Sequence, residues 1–349
     1  MSGKRQHFMP QFLQRGFSFD NGKKQQYTWQ YRLDGKVLLA NIKNVGTEGF
    51  FYSLDSDHSV DDTITDAESD FSELVVALQN HNIDNIASLD ISKFISHLES
   101  RTRHIRISIQ NSFSCLMENI GDAFFKKEII IEYVTRNIIS KPNKLEKLID
   151  RQLESMTISS AMKYNLKQLM TNNVNFWLPT TVESMAEVYK PLIAEAIREK
   201  LPVVMKVGHL KALNESIFPE AKVNDYVKLE FNVISMNYDL PLGDNMVLFE
   251  VEGDRKFKPY YERSDVLRNI YLPISSRKLL CGSSKGCIPS INDLDLHIAE
   301  CSSEYFISSI KDERSLEMQK LIGKNSYAIS NDKIIELLSE LIDGDSDWI

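Results

Sequence analysis

The hydrophobic period of this chain changes twice along its length, and that order restricts the folds open to it. "QQYTWQYRLDGKVLLA", residues 25–40, places aromatic and β-branched runs on either side of Asp34-Gly35, which predicts a hairpin. From about 60 to 200 the period is helical. In 62–80 apolar residues fall at Ile64, Ala67, Phe71, Leu74, Val75 and Leu78. A second stripe runs Phe94, Ile95, Leu98, Ile105, Ile109, Phe113 and Leu116, behind a cap at Asp90 or Ser92. Further helices are expected over 126–139, 146–156, 161–170 and 180–200, the last kinked or split at Pro191. After about 202 strand character returns in 226–236, 244–253 and 269–282, with a bend at Pro273. Helices are expected again over 291–310 and 331–344. This order argues an α+β fold, with the hairpin and the later strands sharing one sheet. It reads as a single domain over 1–349, in which the helical region 60–200 is inserted between hairpin 25–40 and a strand and helix region 202–342.

At 349 residues and 42% hydrophobic, the chain can bury a sizeable core without disulfides or metal. No apolar run is long enough to span a bilayer, and no apolar region follows Lys4, Arg5 and His7 as a signal peptide requires. Cys115, Cys281, Cys287 and Cys301 are scattered, so a cytoplasmic protein with reduced thiols is expected. The net charge of −8 conceals a polarity: residues 1–47 hold eight Lys and Arg against two acids, and 48–90 hold eleven acids and no Lys or Arg. Either the two segments neutralise each other side by side, which neighbouring elements favour, or the first is a basic face for phosphates. P-loop, G-x-G-x-x-G, H-E-x-x-H and G-x-S-x-G patterns are absent, which leaves ATPase, Rossmann, zincin and α/β-hydrolase readings unsupported.

Two charges stand on faces that should be buried. Glu68 lies four after Ile64 and three before Phe71; Arg101 lies three after Leu98 and four before Ile105. Buried charge is costly unless paired, so the two form either a structural ion pair or the lining of a cavity. His7 belongs with them. It sits in "KRQHFMPQFLQRGFS", where Phe8, Pro10, Phe12 and Phe17 should pin the segment while His7, Gln11 and Arg15 project. Histidine suits proton transfer near neutral pH, and a carboxylate partner would fix its tautomer. Cys281, Cys287, His297 and Cys301 have a spacing too loose for a standard zinc site. Tyr27, Trp29 and Tyr31 share one face of the first hairpin strand, as core residues or as a base-stacking platform.

The opening "HFMPQFLQRGF" resembles the start of a large, mostly bacterial uncharacterised family, domain of unknown function 4238, whose members begin H-x-V-P-Q-x-x-L-R-x-F. The likeness continues in order through "KNVGTEGFFYS", "DDTITDAESDFSELV" with Glu68, "FISHLESRTRHIR" with Arg101 and Thr102, "LPLGDNMVLFE" with Asp244, and "IYLPISSRKLLCG" with Pro273, Ser275 and Arg277. Departures are Gln14 for leucine, Glu99 near a usual glutamine, and Met246 for proline. The resemblance implies no known activity, only an accessory or defence setting. It selects His7, Gln11, Glu68, Arg101 and Asp244 as one polar set.

Three functions compete for that set. In a nuclease-like phosphate-ester hydrolase, His7, Glu68 and Asp244 are catalytic, with a Mg2+ ion as one option for the carboxylates, and Gln11, Arg15 and Arg101 bind substrate. RNA or single-stranded DNA is then the expected partner, bound weakly and with strong salt dependence. In a non-catalytic sensor or protein-binding module, the same residues form a buried structural network. The third is a phosphate-ligand binding protein without turnover. Convergence in an open pocket favours the first or third; burial favours the second.

Overall fold

The computed structural model describes residues 5–22, 24–53, 59–80, 86–107, 110, 114, 141–262 and 264–326. The helices expected over 126–139 and 331–344, and Ile109, Phe113 and Leu116 of the second stripe, lie outside these residues. The chain divides into two compact units, one of 1–111 with 204–330 and one of 112–203 with 331–349.

The first unit is α+β. Its principal sheet has five antiparallel strands in the order β6 (Glu230–Ser235), β11 (Lys278–Ser283), β10 (Leu267–Ser275), β8 (Leu248–Val251) and β9 (Phe257–Lys258). Both faces of β10 are covered, which explains its nearly unbroken apolar run. Ile270, Leu272 and Ile274 face a core shared with helices α2 (Ser59–Gln79) and α3 (Ser88–Ser100). Tyr271, with Leu248 and Leu279, faces Leu294 and Ile298 of α8 (Leu294–Cys301).

A second sheet joins the two ends of the sequence. β3 (Gln26–Arg32) pairs with β4 (Val37–Asn41) on one side and with β2 (Phe19–Asp20) and β12 (Tyr305–Ser308) on the other; β12 also pairs with β7 (Leu242–Gly243). Gly35 closes the hairpin at φ +82°, a conformation open to glycine without Cβ strain. Tyr31 stacks on Phe306 with centroids 5.0 Å apart, so this end of the aromatic stripe is core and cannot stack on bases. A short pair, β1 (Arg5–His7) with β5 (Thr47–Gly49), carries the histidine segment.

Several local expectations are corrected. Residues 269–282 form the hairpin β10–β11 instead of one bent strand. Pro273 is tolerated because β10 meets β8 only through Tyr271, so its missing N–H falls beyond that ladder; the register shifts between Pro273 and Ser275. The helix expected over 291–310 ends at Cys301, and Tyr305–Ser308 is strand β12. Tyr226 ends helix α7 (Glu220–Tyr226), ahead of β6. Helix α3 begins at Ser88, and Ser92 bonds back to the Ser88 carbonyl (2.7 Å) without capping.

In the second unit, α4 (Pro142–Glu154), α5 (Ser160–Asn172) and the first part of α6 (Val174–Glu215) pack through Leu145, Ile149, Leu153 and Val174. Pro191 does not split α6, since a proline removes one helical bond while those of its neighbours continue.

The loop after β7 contains a testable backbone detail. Met246 is buried at φ +63°, and its N–H donates to the Gly243 carbonyl (3.0 Å). Proline has no N–H and a φ fixed near −65°, so this loop cannot adopt its present form around the residue usual in similar sequences. Met246→Pro is expected to cost more than about 3 kcal/mol, against about 1 kcal/mol for the size control Met246→Leu. Urea denaturation of both checks this; equal midpoints would show that the loop relaxes without penalty.

Candidate functional site

The site begins with the anchoring of the N-terminal segment. Phe8 packs on Phe51 with centroids 5.3 Å apart, and Met9 is fully buried. Gly46 accepts the Phe8 N–H (2.9 Å) at φ +64°, and a Cβ there would lie 2.4 Å from the Met9 side chain. Gln14 is also fully buried; its amide donates to the carbonyls of Met9 (2.8 Å) and Val45 (3.1 Å). A leucine at this position could not make that clasp. These contacts hold β1 against β5 in a register that sets His7 opposite Thr47.

Arg101 is the hub. It caps α3 and is 1% exposed. Its Nη1 donates to Glu68 Oε1 (2.6 Å) and contacts His97 Nε2 (3.0 Å), its Nε donates to the Tyr52 hydroxyl (3.0 Å), and its Nη2 donates to the His7 carbonyl. Four of the five guanidinium N–H groups are therefore engaged inside the protein. His97 Nδ1 lies 3.2 Å from the Ile217 carbonyl and must carry the proton there. That leaves Nε2 as an acceptor for Arg101 and keeps the imidazole neutral. Burial first, and then the Arg101 charge, hold His97 well below its ordinary pKa. Burial alone would lower the Arg101 pKa, but Tyr52 and Glu68 raise it. Burial pushes the Tyr52 hydroxyl up to about 12.

A half-open polar cleft of about 290 Å³ lies before this hub. Arg5, His7, Asp61, Asp62 and Glu68 line it, with Tyr52 and Arg101 at the back. Asp61, Thr65 and Glu68 share one face of α2 at i, i+4 and i+7, and Asp62 borders the cleft beside them. Gln11 Nε2 is 3.2 Å from His7 Nε2. An amide N–H donating there places the imidazole proton on Nδ1. Burial lowers the His7 pKa, Glu68 opposes this and Arg101 adds to it, so the ring is uncharged at neutral pH.

The structure thus links His7, Gln11, Glu68 and Arg101 through direct bonds. Asp244 lies elsewhere. It is buried, and its carboxylate accepts the backbone N–H groups of Ser303 (2.8 Å), Glu304 (2.7 Å) and Tyr305 (3.3 Å), which fixes the turn into β12. Burial pushes its pKa up to about 6 against the pull of those bonds. A Mg2+ ion shared by Glu68 and Asp244 therefore has no ligand set here. Arg15 is exposed and does not line the cleft. Among the described residues no group of three or more His, Cys, Asp or Glu side chains could hold a metal. His297 stacks on Phe257 at 4.0 Å and contacts Glu300 (3.1 Å).

Sequence reasoning missed several members of this network. His97 lies one helical turn before Arg101, a spacing that could have drawn attention to it. The same arrangement recurs nearby: Arg106 Nε donates to His209 Nδ1 (3.1 Å), while His209 Nε2 donates to the Ser100 carbonyl (2.8 Å). Arg106 also reaches the Phe51 carbonyl (3.0 Å) and lies 3.9 Å over the Phe51 ring. Glu99 is buried on Lys222 (2.8 Å), Tyr226 (2.5 Å) and the Tyr261 N–H (3.2 Å), a cluster apart from the cleft.

No helix among the described residues is long and apolar enough to cross a membrane. No curated protein and no solved structure matches the chain. The sequence model described as "Protein of unknown function (DUF4238)" matches residues 5–335, nearly the whole length, and the chain belongs to that family.

Proposed function

We propose that the chain is a ligand-sensing or partner-binding protein whose ligand enters the cleft between β1 and α2, rather than a hydrolase that clamps a phosphate. The observation that carries this reading is the engagement of Arg101. A guanidinium 1% exposed, with four of its five N–H groups bonded to Glu68, His97, Tyr52 and the His7 carbonyl, keeps no paired N–H groups with which to clamp a substrate phosphate. At the mouth, Asp61, Asp62 and Glu68 stand against Arg5. That lining suits an amine, a guanidinium or a neutral donor-rich group, and it repels a polyanion. A cytoplasmic accessory or defence role accords with a sensor of this kind.

A second reading is favoured by His7, which is neutral and beside Gln11 in a polar cleft. There Glu68 and His7 are the acid and base of a hydrolase, and Arg101 orients Glu68 from behind. Two assays on the intact chain separate the readings. Calorimetric titration with spermidine and with an arginine-containing peptide should give saturable binding, weakened about tenfold by Asp61→Asn with Asp62→Asn. Incubation with total RNA, tRNA, single-stranded DNA and duplex DNA, with and without Mg2+, should leave all four intact. Cleavage abolished by His7→Ala would replace the binding reading with the hydrolase one.

A further inference from the structure

β4 is an edge strand that leaves two cores unfinished. Among the described residues it pairs with β3 alone. Leu39 stands opposite Trp29, on the face that packs toward Tyr31 and Phe306, and is 50% exposed. Leu38 is on the other face, beside Ala40, which packs against the main core; it is 42% exposed. Each hydrophobic layer therefore ends at this strand with a leucine half in water. The Arg32 N–H donates to the Lys36 carbonyl (3.0 Å), and antiparallel bonding alternates from that pair. Gln30 with Leu38 is then a bonded pair, and Leu39, across from Trp29, turns its N–H and C=O outward. The ends of the edge are basic: Lys36 and Lys43 are exposed. Asp34 at the turn is held by Arg32 (3.3 Å) and Lys36 (3.1 Å).

We infer that β4 is a docking edge for an extended segment of another protein, one with alternating branched apolar residues and Asp or Glu at both ends. An added antiparallel strand would pair with the outward groups of Leu39 and lay its side chains on both leucines. Carboxylates at its ends would meet Lys36 and Lys43. A second copy of this chain fits poorly, because antiparallel pairing of two β4 strands brings Lys36 of one toward Lys43 of the other. The Lys43 end of this edge adjoins His7 through its backbone, but the outward groups of Leu39 and the two leucines do not line the cleft.

The test uses the full chain and three fluorescein-labelled peptides: Glu-Glu-Val-Thr-Val-Thr-Val-Asp-Asp, the same sequence with lysine at the four acidic positions, and the acidic peptide N-methylated on alternate backbone nitrogens. Fluorescence anisotropy should show saturable binding of the first, with at least about tenfold weaker binding of the other two. Lys36→Glu with Lys43→Glu should weaken the acidic peptide about tenfold and leave the melting temperature unchanged. Equal binding of the N-methylated peptide would overturn strand pairing, and stronger binding of the lysine peptide would overturn the acidic assignment. No binding of any peptide overturns the proposal, as does sedimentation showing a dimer that Lys36→Glu with Lys43→Glu disrupts.

Discussion

Replacing Arg101 by methionine should cost about 3–5 kcal/mol of folding stability, the range for breaking a buried charged network from one side. The substitution fills comparable volume, so the loss is one of bonding. His97 Nε2, the Tyr52 hydroxyl and the His7 carbonyl would each lose a donor in a site with little access to water. Glu68→Met should cost less, about 1–3 kcal/mol, because its side chain is 28% exposed and solvent already shares its charge. The double variant should lose less than the sum, because each single change strands a partner that the double change removes. Urea denaturation of the wild type and the three variants closes this cycle. A cost below about 1 kcal/mol for Arg101→Met would mean the hub is not structural, and the case for a ligand-side role of the guanidinium would reopen.

Much of this hub could be read from the sequence, because a charge on an apolar stripe violates helical periodicity visibly. Glu68 and Arg101 stood out for that reason, and they are bonded at 2.6 Å. His97 did not, because a histidine beside an apolar stripe breaks no pattern; its role depends on the Ile217 carbonyl, 120 positions away. Asp244 misled for a related reason. Motif resemblance reports that a carboxylate belongs at that position, and a carboxylate that ties down three backbone N–H groups leaves the same trace as a catalytic one. The fold followed similar limits. The hairpin around Asp34-Gly35 was legible because its turn chemistry is local. The division of 269–282 into two strands was not, since the turn at Ser276-Arg277 carries no glycine or asparagine and the strands are apolar on both faces. Strand β12 was read as helix because four residues of "YFIS" are too few to show a period, and what makes them a strand is pairing with β3.

Acidification should destabilise the protein steeply between pH 6.5 and about 4.5, a loss that begins above the range in which surface carboxylates titrate. Three buried histidines set this behaviour. Burial, with Arg255 beside it, holds His104 at about 4; burial, with Arg106 beside it, holds His209 at about 4; burial, with Arg101 beside it, holds His97 well below its ordinary value. Their unfolded value is near 6.5. Each folded pKa is depressed, so the unfolded chain binds more protons in this window, and the stability present above pH 6.5 is lost as pH falls. Asp244 works in the opposite direction: its folded value of about 6 lies above the ordinary 3.8, so the folded chain gains a proton there as the pH drops. Three histidines less one aspartate leave a net uptake of about two protons on unfolding, which amounts to about 3 kcal/mol per pH unit near pH 5. Over one and a half units that is a large share of the 5–15 kcal/mol typical of a folded chain. Urea midpoints at pH 7.5, 6.5, 5.5 and 4.5 measure the slope. His209→Gln should flatten it by about one proton, because the amide can still accept from Arg106 and donate to the Ser100 carbonyl without titrating. Midpoints that stay level from pH 7.5 to 5 would show that these imidazoles reach solvent and charge in the folded state.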